Sequence, residues 1–219
     1  MICSIEAVLF DLDGTLVDTA PDLAGALNHV LRSEGMAELP LEIIRPHVSR
    51  GGLALIELAF SATRQSTEFE PLRQRLLDYY IDHIADESVL FEGCETLLQQ
   101  LEQRSIPWGI VTNKPGWLTE PLLQQLSLDT RSAVTISADT TAQKKPHPLP
   151  LLTAAERIDI DPGRCLYVGD DPRDVEAGNR ANMTTVIAKY GYIGEDAVLE
   201  NWQADAMIDH PQQVLNFIE

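Results

Sequence analysis

The chain has 219 residues, 44% of them hydrophobic, with 34 acidic against 16 basic side chains and a formal net charge of −18. That length suits one large domain or a core with an inserted subdomain, with enough apolar material to bury a core. The negative field excludes nucleic acid and anionic membrane as partners, because such binding rests on Lys and Arg neutralising phosphates. The same field repels a phosphorylated metabolite, so a phosphate substrate would need local positive charge from a metal ion, a lysine or helix N-termini. The cysteines Cys3, Cys94 and Cys165 are scattered and form no C-x-x-C pair, which argues against a disulfide framework or a zinc site. The opening MICSIEAVLF has no basic segment and is not read as a signal peptide. No apolar run is long enough to span a bilayer. A soluble cytoplasmic protein is expected, monomer or homodimer.

Ile5–Phe10 reads as an apolar strand that breaks into Asp11, Leu12, Asp13, Gly14 and Thr15. An Asp-Gly turn would account for Asp13-Gly14. It does not account for Asp11, which still belongs to the strand and places charge where folding gains nothing from it. Helical sequence follows. Ala20–Ser33 sets Leu23, Leu27, Val30 and Leu31 at helical spacing, with Pro21 and Asp22 near the start and Gly35 after the end. Leu41–Val48 is a second short segment, Ser49-Arg50-Gly51-Gly52 a turn, and Leu53–Ala62 a further helix. In Glu70–Ile84, Leu72, Leu76, Leu77, Tyr80 and Ile84 share one face. No strand is expected between Thr19 and Phe91.

From Cys94 the texture changes. A helix over Cys94–Arg104 leads to the strand Pro107–Thr112, a helix over Trp117–Leu126 and the β-rich run Ala133–Ile136. A polar loop, Ala138–Pro146, precedes the helix Leu149–Arg157 and the strand Arg164–Val168, which ends in Gly169-Asp170-Asp171. The helix Val175–Asn182, the strands Thr184–Ala188 and Ala206–Ile208, and a last helix over Pro211–Ile218 complete the chain. This alternation predicts an α/β fold, a doubly wound parallel sheet of Rossmann-like type with helices on both faces. The helical block between the first two strands predicts an inserted cap. The expected division is residues 1–18 and 92–219 as the catalytic core and 19–91 as the helical cap.

Ligands in such sheets bind outside the carboxyl ends of the strands, where strand order reverses. Three strands end in reactive groups: Asp11 and Asp13; Thr112, Asn113 and Lys114; Asp170 and Asp171, with Asp174 one helical turn on. Lys145, on the polar loop, can reach the same edge. Each group has an ordinary explanation: a strand-to-turn exit for Thr112-Asn113, a solvated lysine, a helix N-cap at Asp170 or Asp171. Taken together they suit phosphoryl transfer. A carboxylate such as Asp11 can attack phosphorus and form an aspartyl phosphate. Asp11 and Asp170 would make a hard oxygen site for Mg²⁺. The Thr112 hydroxyl would hold phosphoryl oxygens and Lys145 would neutralise their charge. Asp13, crowded by Asp11, would carry the proton, first to the leaving oxygen and then from water.

DLDGT, a strand ending in Thr112-Asn113, Lys145-Pro146 and GDDPRDVEAG occur in that order. In this the chain resembles the haloacid-dehalogenase-like phosphatases over essentially its whole length, and the insertion resembles the cap of their phosphoglycolate-phosphatase-like branch. The resemblance implies phosphate-ester hydrolysis with Mg²⁺, with Asp11 as nucleophile and Asp13 as acid/base. It implies Thr112, Asn113 and Lys145 as phosphoryl ligands, and Asp11, Asp170 and the Asp13 carbonyl as metal ligands. Asp174 would order a metal-bound water or Lys145, while Asp171 stands where many relatives have Ser. Val111–Pro115, Tyr190–Ile193, Asn201-Trp202 and Ala204-Asp205 resemble the narrower group of N-acetylmuramic acid 6-phosphate phosphatases of peptidoglycan recycling. In the cap, His47, Ser49, Arg50, Gly51 and Gly52 stand out. Arg50, with Gly51 beside it, could take a substrate carboxylate by its planar fork. The plainer reading is a surface arginine next to a glycine turn. The competing readings are a phosphomutase on the same scaffold, which differs in needing a bisphosphate activator, and a phospho-accepting signalling domain, which would lack the cap.

Overall fold

The computed structural model describes residues 4–60 and 66–218, so the last two residues of the helix expected over Leu53–Ala62 lie outside the described residues. Six parallel strands form the main sheet: β1 (Ala7–Phe10), β4 (Trp108–Val111), β5 (Val134–Ile136), β6 (Cys165–Gly169), β7 (Thr184–Ala188) and β8 (Ala206–Ile208). Their order is β5-β4-β1-β6-β7-β8. Strand β1 lies between β4 and β6, with Val8 level with Trp108 on one side and Leu166 on the other. Strand order reverses there, so the crevice opens at the carboxyl end of β1.

The strands read as continuous apolar runs because both faces are covered. Period-2 alternation sorts their side chains into two cores. Ala7, Leu9 and Tyr167 join Leu151 and Ala155 of α7 (Leu149–Arg157) and Ala177 of α8 (Pro172–Arg180). Val8, Phe10, Leu166 and Val168 join Leu97 and Leu98 of α5 (Cys94–Gln103) and Leu122 of α6 (Gly116–Gln125).

The cap leaves the sheet through β2 (Val17–Asp18) and returns through β3 (Val89–Leu90), which pair antiparallel. Between them lie α1 (Ala20–Ser33), α2 (Leu41–Ile44), a 3₁₀ segment Arg45–Arg50, α3 (Gly51–Phe60) and α4 (Phe69–Asp82). Helix α1 buries Leu23, Leu27, Val30 and Leu31. It also buries Asp22, whose carboxylate accepts the Glu87 and Ser88 N–H groups and the Ser88 hydroxyl. Three donors offset the cost of burying that charge and fix the returning linker.

Three expectations are corrected. A strand does occur between Thr19 and Phe91: β3 has two residues, one of them exposed, too few to show an alternating pattern. Ser49–Gly52 is not a separate turn. The 3₁₀ segment passes directly into α3 through Gly51, whose φ of +71° makes the bend that a side chain would strain. The closing segment Pro211–Phe217 is a 3₁₀ helix.

Candidate active site

Burying β1 carries Asp11 inward with it. Asp11 is 8% exposed; its Oδ1 accepts the Leu12 N–H at 2.7 Å and faces Lys145 Nζ at 2.9 Å. Burial pushes its pKa up to about 7, with Asp174 adding to the rise and Lys145 opposing it. Asp170, at the end of β6, is pushed well above the carboxylate range by burial and by its acidic neighbours Asp11 and Asp174. It accepts the Thr15 hydroxyl on Oδ1, and the Tyr192 N–H and Ser49 hydroxyl on Oδ2. Gly14 makes the crossing possible. Its φ is +88°, and a Cβ there would collide with Asp170 Oδ2 and the Tyr192 ring.

Lys145 is 3% exposed. Its ammonium donates to the Val111 carbonyl, the Tyr167 hydroxyl and Asp174 Oδ1 at 2.7–2.9 Å. Burial works against its charge, but Asp11 and Asp174 outweigh that and raise its pKa. Asn113 holds the lysine's backbone at both ends: its amide nitrogen donates to the Lys145 carbonyl and its amide oxygen accepts the Lys145 N–H, each at 3.0 Å. Thr112 is buried at the end of β4, where its hydroxyl accepts the Lys114 N–H.

Asp171 caps α8 by accepting the Arg173 N–H, while Asp174 accepts the Asp171 N–H, a reciprocal capping box. Burial opposes the Asp171 charge, yet the Arg173 guanidinium holds its pKa down. The charge on Asp171 is thus committed to the helix start and to Arg173.

Asp13 lies across the crevice. Its Oδ1 accepts the Thr19 hydroxyl at 2.6 Å and Lys114 Nζ at 2.9 Å. The Lys114 ammonium also donates to the Tyr80 hydroxyl of α4 at 2.8 Å. The cap meets the core again where Arg173 donates to the Ser49 carbonyl. At the linker, Tyr192 donates to Asp18 and accepts the Ala20 N–H, and Arg45 pairs with Asp18.

These contacts enclose a cavity of about 230 Å³. Arg50, Arg73, Lys114, Lys144, Lys145 and Arg173 line it, six of the 16 basic residues in a chain of net charge −18. Against the three lining carboxylates Asp11, Asp13 and Asp174 they leave an excess of basic groups at one place, where an anionic substrate needs it. Arg50 and Gly51 are at this cavity, with Arg50 exposed at its edge. The lining also includes apolar side chains: Leu23, Val48, Leu53, Leu77, Pro115 and Leu118.

The donor set fits a hard divalent cation. Oxygens of Asp11, Asp170 and Asp174 all lie within 4.8 Å of one another and all three residues are buried. Asp174 is already paired with Lys145. The raised pKa values of Asp11 and Asp170 mark a cluster short of positive charge, which oxygen-preferring cations supply.

The structure brings Asp11, Asp13, Thr112, Asn113, Lys145, Asp170 and Asp174 to one sheet edge. Sequence reasoning placed Lys114 among the strand-end groups without a role of its own, assigned none to Arg173, and placed Tyr80 only on an apolar face. Lys114 sits inside the Val111–Pro115 run, and Tyr192 inside the Tyr190–Ile193 segment. Nothing in either run announces that the side chain turns inward.

A family model described as haloacid dehalogenase-like hydrolase matches residues 8–188. A phosphoglycolate phosphatase from Xanthomonas campestris pv. campestris is 46% identical over 210 residues, 95% of this chain and 94% of that one. An N-acetylmuramic acid 6-phosphate phosphatase from Pseudomonas aeruginosa is 40% identical over 215 residues, 98% of this chain and 95% of that one. The crystal structure of a predicted phosphoglycolate phosphatase from Haemophilus somnus superposes with a TM-score of 0.85 at 24% identity, covering 97% of each chain.

Proposed function

The chain belongs to the haloacid dehalogenase-like hydrolases and is a phosphoric monoester hydrolase, and from that premise we propose that it works through an aspartyl phosphate on Asp11 with Mg²⁺ as cofactor. The observation that carries this reading is the buried Asp11 facing Lys145 and Asp170 at the cavity where six cations converge. Asp11 attacks phosphorus, Lys145 and the Thr112 hydroxyl hold the phosphoryl oxygens, and Asn113 holds Lys145 in place. Asp13 gives a proton to the leaving oxygen and later takes one from water. Asp11, Asp170 and the Asp13 carbonyl would hold Mg²⁺, which supplies charge neutralisation at the phosphoryl group.

The metal assignment predicts a pH-dependent stabilisation. Asp11 has a folded pKa of about 7 against an ordinary 3.8. A raised carboxyl binds protons better when folded, so without the cation this group costs stability progressively as pH rises through that window. A cation removes that cost. The rise in melting temperature on adding Mg²⁺ is expected to be larger at about pH 8 than at about pH 5. A rise that shrinks with pH would exclude Asp11 as a ligand, and full activity in excess chelator would exclude the cofactor.

For the substrate we favour N-acetylmuramate 6-phosphate over 2-phosphoglycolate. Both carry a carboxylate that Arg50 could bind, so Arg50 does not separate them. The apolar lining favours the larger ester. It matches the lactyl and acetyl methyl groups of the amino sugar, whereas 2-phosphoglycolate has one methylene and would leave that lining against water. The smaller ester stands as the second reading because the 46% identical relative is named for it. Burying two methyl groups is worth roughly 1.6 kcal/mol, so kcat/KM is expected to be at least about tenfold higher for the amino sugar. A phosphate-release assay with both esters and common hexose phosphates decides it; a preference for 2-phosphoglycolate would overturn the choice. In the same assay Arg50→Ala should raise KM about tenfold or more with kcat little changed, the signature of a lost binding contact.

A further inference from the structure

The proposed reaction gives no task to one buried contact between cap and core, that of Lys114 with Tyr80. Lys114 follows Asn113 at the exit of β4 and is 8% exposed. Its ammonium lies between Asp13 Oδ1 at 2.9 Å and the Tyr80 hydroxyl at 2.8 Å. Tyr80 is fully buried on α4 of the cap, and Lys114 Nζ stands 4.6 Å from the centre of its ring. Taking an ammonium out of water costs several kcal/mol unless partners replace the water. Here one partner comes from the core and one from the cap. Opening the cap removes the Tyr80 hydroxyl and returns the lysine to water.

The effect falls on Asp13. Both its donors, Lys114 and the Thr19 hydroxyl, reach the same oxygen, Oδ1. Two donors on one oxygen restrain the rotation of the carboxylate of Asp13, a residue that lines the cavity. A general acid works only within hydrogen-bond reach of the atom it protonates.

We propose that Lys114 and Tyr80 are a positioning pair that holds the Asp13 carboxylate in line for proton transfer only when the cap is closed. The inference rests on the reading of Asp13 as the acid/base. Lys114 and Tyr80 line the cavity and act here through Asp13. Together they restrict proton donation to the enclosed state, so that an open enzyme cleaves poorly any ester whose leaving group needs a proton.

The test compares kcat/KM for p-nitrophenyl phosphate and phenyl phosphate with the Mg²⁺-loaded enzyme. Nitrophenolate leaves with little help, whereas phenolate depends on protonation. In Tyr80→Phe, which keeps the ring and its packing, the loss should be about tenfold or more greater for phenyl phosphate than for p-nitrophenyl phosphate. Lys114→Met should show the same widening. A purely structural role would lower both esters equally. An unchanged ratio of the two esters in Tyr80→Phe therefore overturns the proposal, including in the event that Lys114→Met does not fold. Asp13→Asn serves as the reference. If it widens the ratio and Tyr80→Phe does not, the pair fails and the acid/base reading survives. If Asp13→Asn does not widen the ratio, the acid/base reading fails first, and the proposal with it.

Discussion

Replacing Asp11 by Asn is expected to abolish turnover and, in metal-free buffer above about pH 7, to raise the melting temperature. The two effects have one cause. The carboxylate is buried beside Asp174 and Asp170, with Lys145 as its nearby cation. Folding alone does not favour a charge there; its pKa of about 7 records the cost. Asn keeps the shape and can still accept from the Leu12 N–H, but it removes the repulsion. It cannot attack phosphorus, because an amide oxygen is too weak a nucleophile to form the acyl phosphate. The loss in kcat should be at least about 10⁴-fold, since no second route to the intermediate exists in the proposed scheme. The gain in stability should fade as pH falls towards the ordinary carboxylate range, where wild-type Asp11 is itself neutral. Measuring turnover and thermal melting on the same preparation checks both. Near-normal turnover would remove Asp11 as the nucleophile. A lower melting temperature at high pH would mean that its pairing with Lys145 outweighs the repulsion.

The sheet was legible from the sequence because its information is local. Strand β1 is an apolar run that stops at a carboxylate, and so is β6; parallel pairing buried on both faces leaves little else for such runs to do. The identity of the site followed from where those strands stop, since Asp11, Thr112 and Asp170 can only meet at one edge. Residues whose meaning depends on a partner in another element were not legible. Lys114 reads as one of the polar groups at the end of β4, but its role has no sign in the sequence until α4 brings Tyr80 over it. Ser49 reads as part of a turn until the cap sets its hydroxyl against Asp170 and its carbonyl against Arg173. Asn113 reads as a phosphoryl ligand by its place in the motif, while both ends of its amide hold the Lys145 backbone. Asp171 was equally open as a site residue or a cap, and its hydrogen bond to the Arg173 N–H makes it the cap of α8. Short elements escaped for a different reason: β3 has two residues, too few for any period to appear.

Asp13→Asn is expected to slow hydrolysis by about 10²–10⁴-fold and to change which intermediate accumulates. Asp13 is proposed to act twice, as acid when the ester bond breaks and as base when water attacks the phosphorylated Asp11. An activated ester such as p-nitrophenyl phosphate bypasses the first role, because its leaving group needs little protonation. The second role has no such bypass. The variant should therefore release one equivalent of p-nitrophenol rapidly and then stall, with the mass of one phosphoryl group trapped on the protein. The cation should still bind, because Asp13 is proposed to contribute its backbone carbonyl, which Asn retains; the Mg²⁺-induced rise in melting temperature tests this directly. The substitution also leaves the buried Lys114 without its charged partner, so some loss of stability is expected. That loss cannot imitate the result: a smaller folded fraction lowers burst and steady state together, whereas removal of the base lowers the steady state alone. Wild-type kcat in the variant would sink the assignment of Asp13. A variant slow in the burst itself, with the activated ester, would place Asp13 in binding or metal retention rather than in proton transfer.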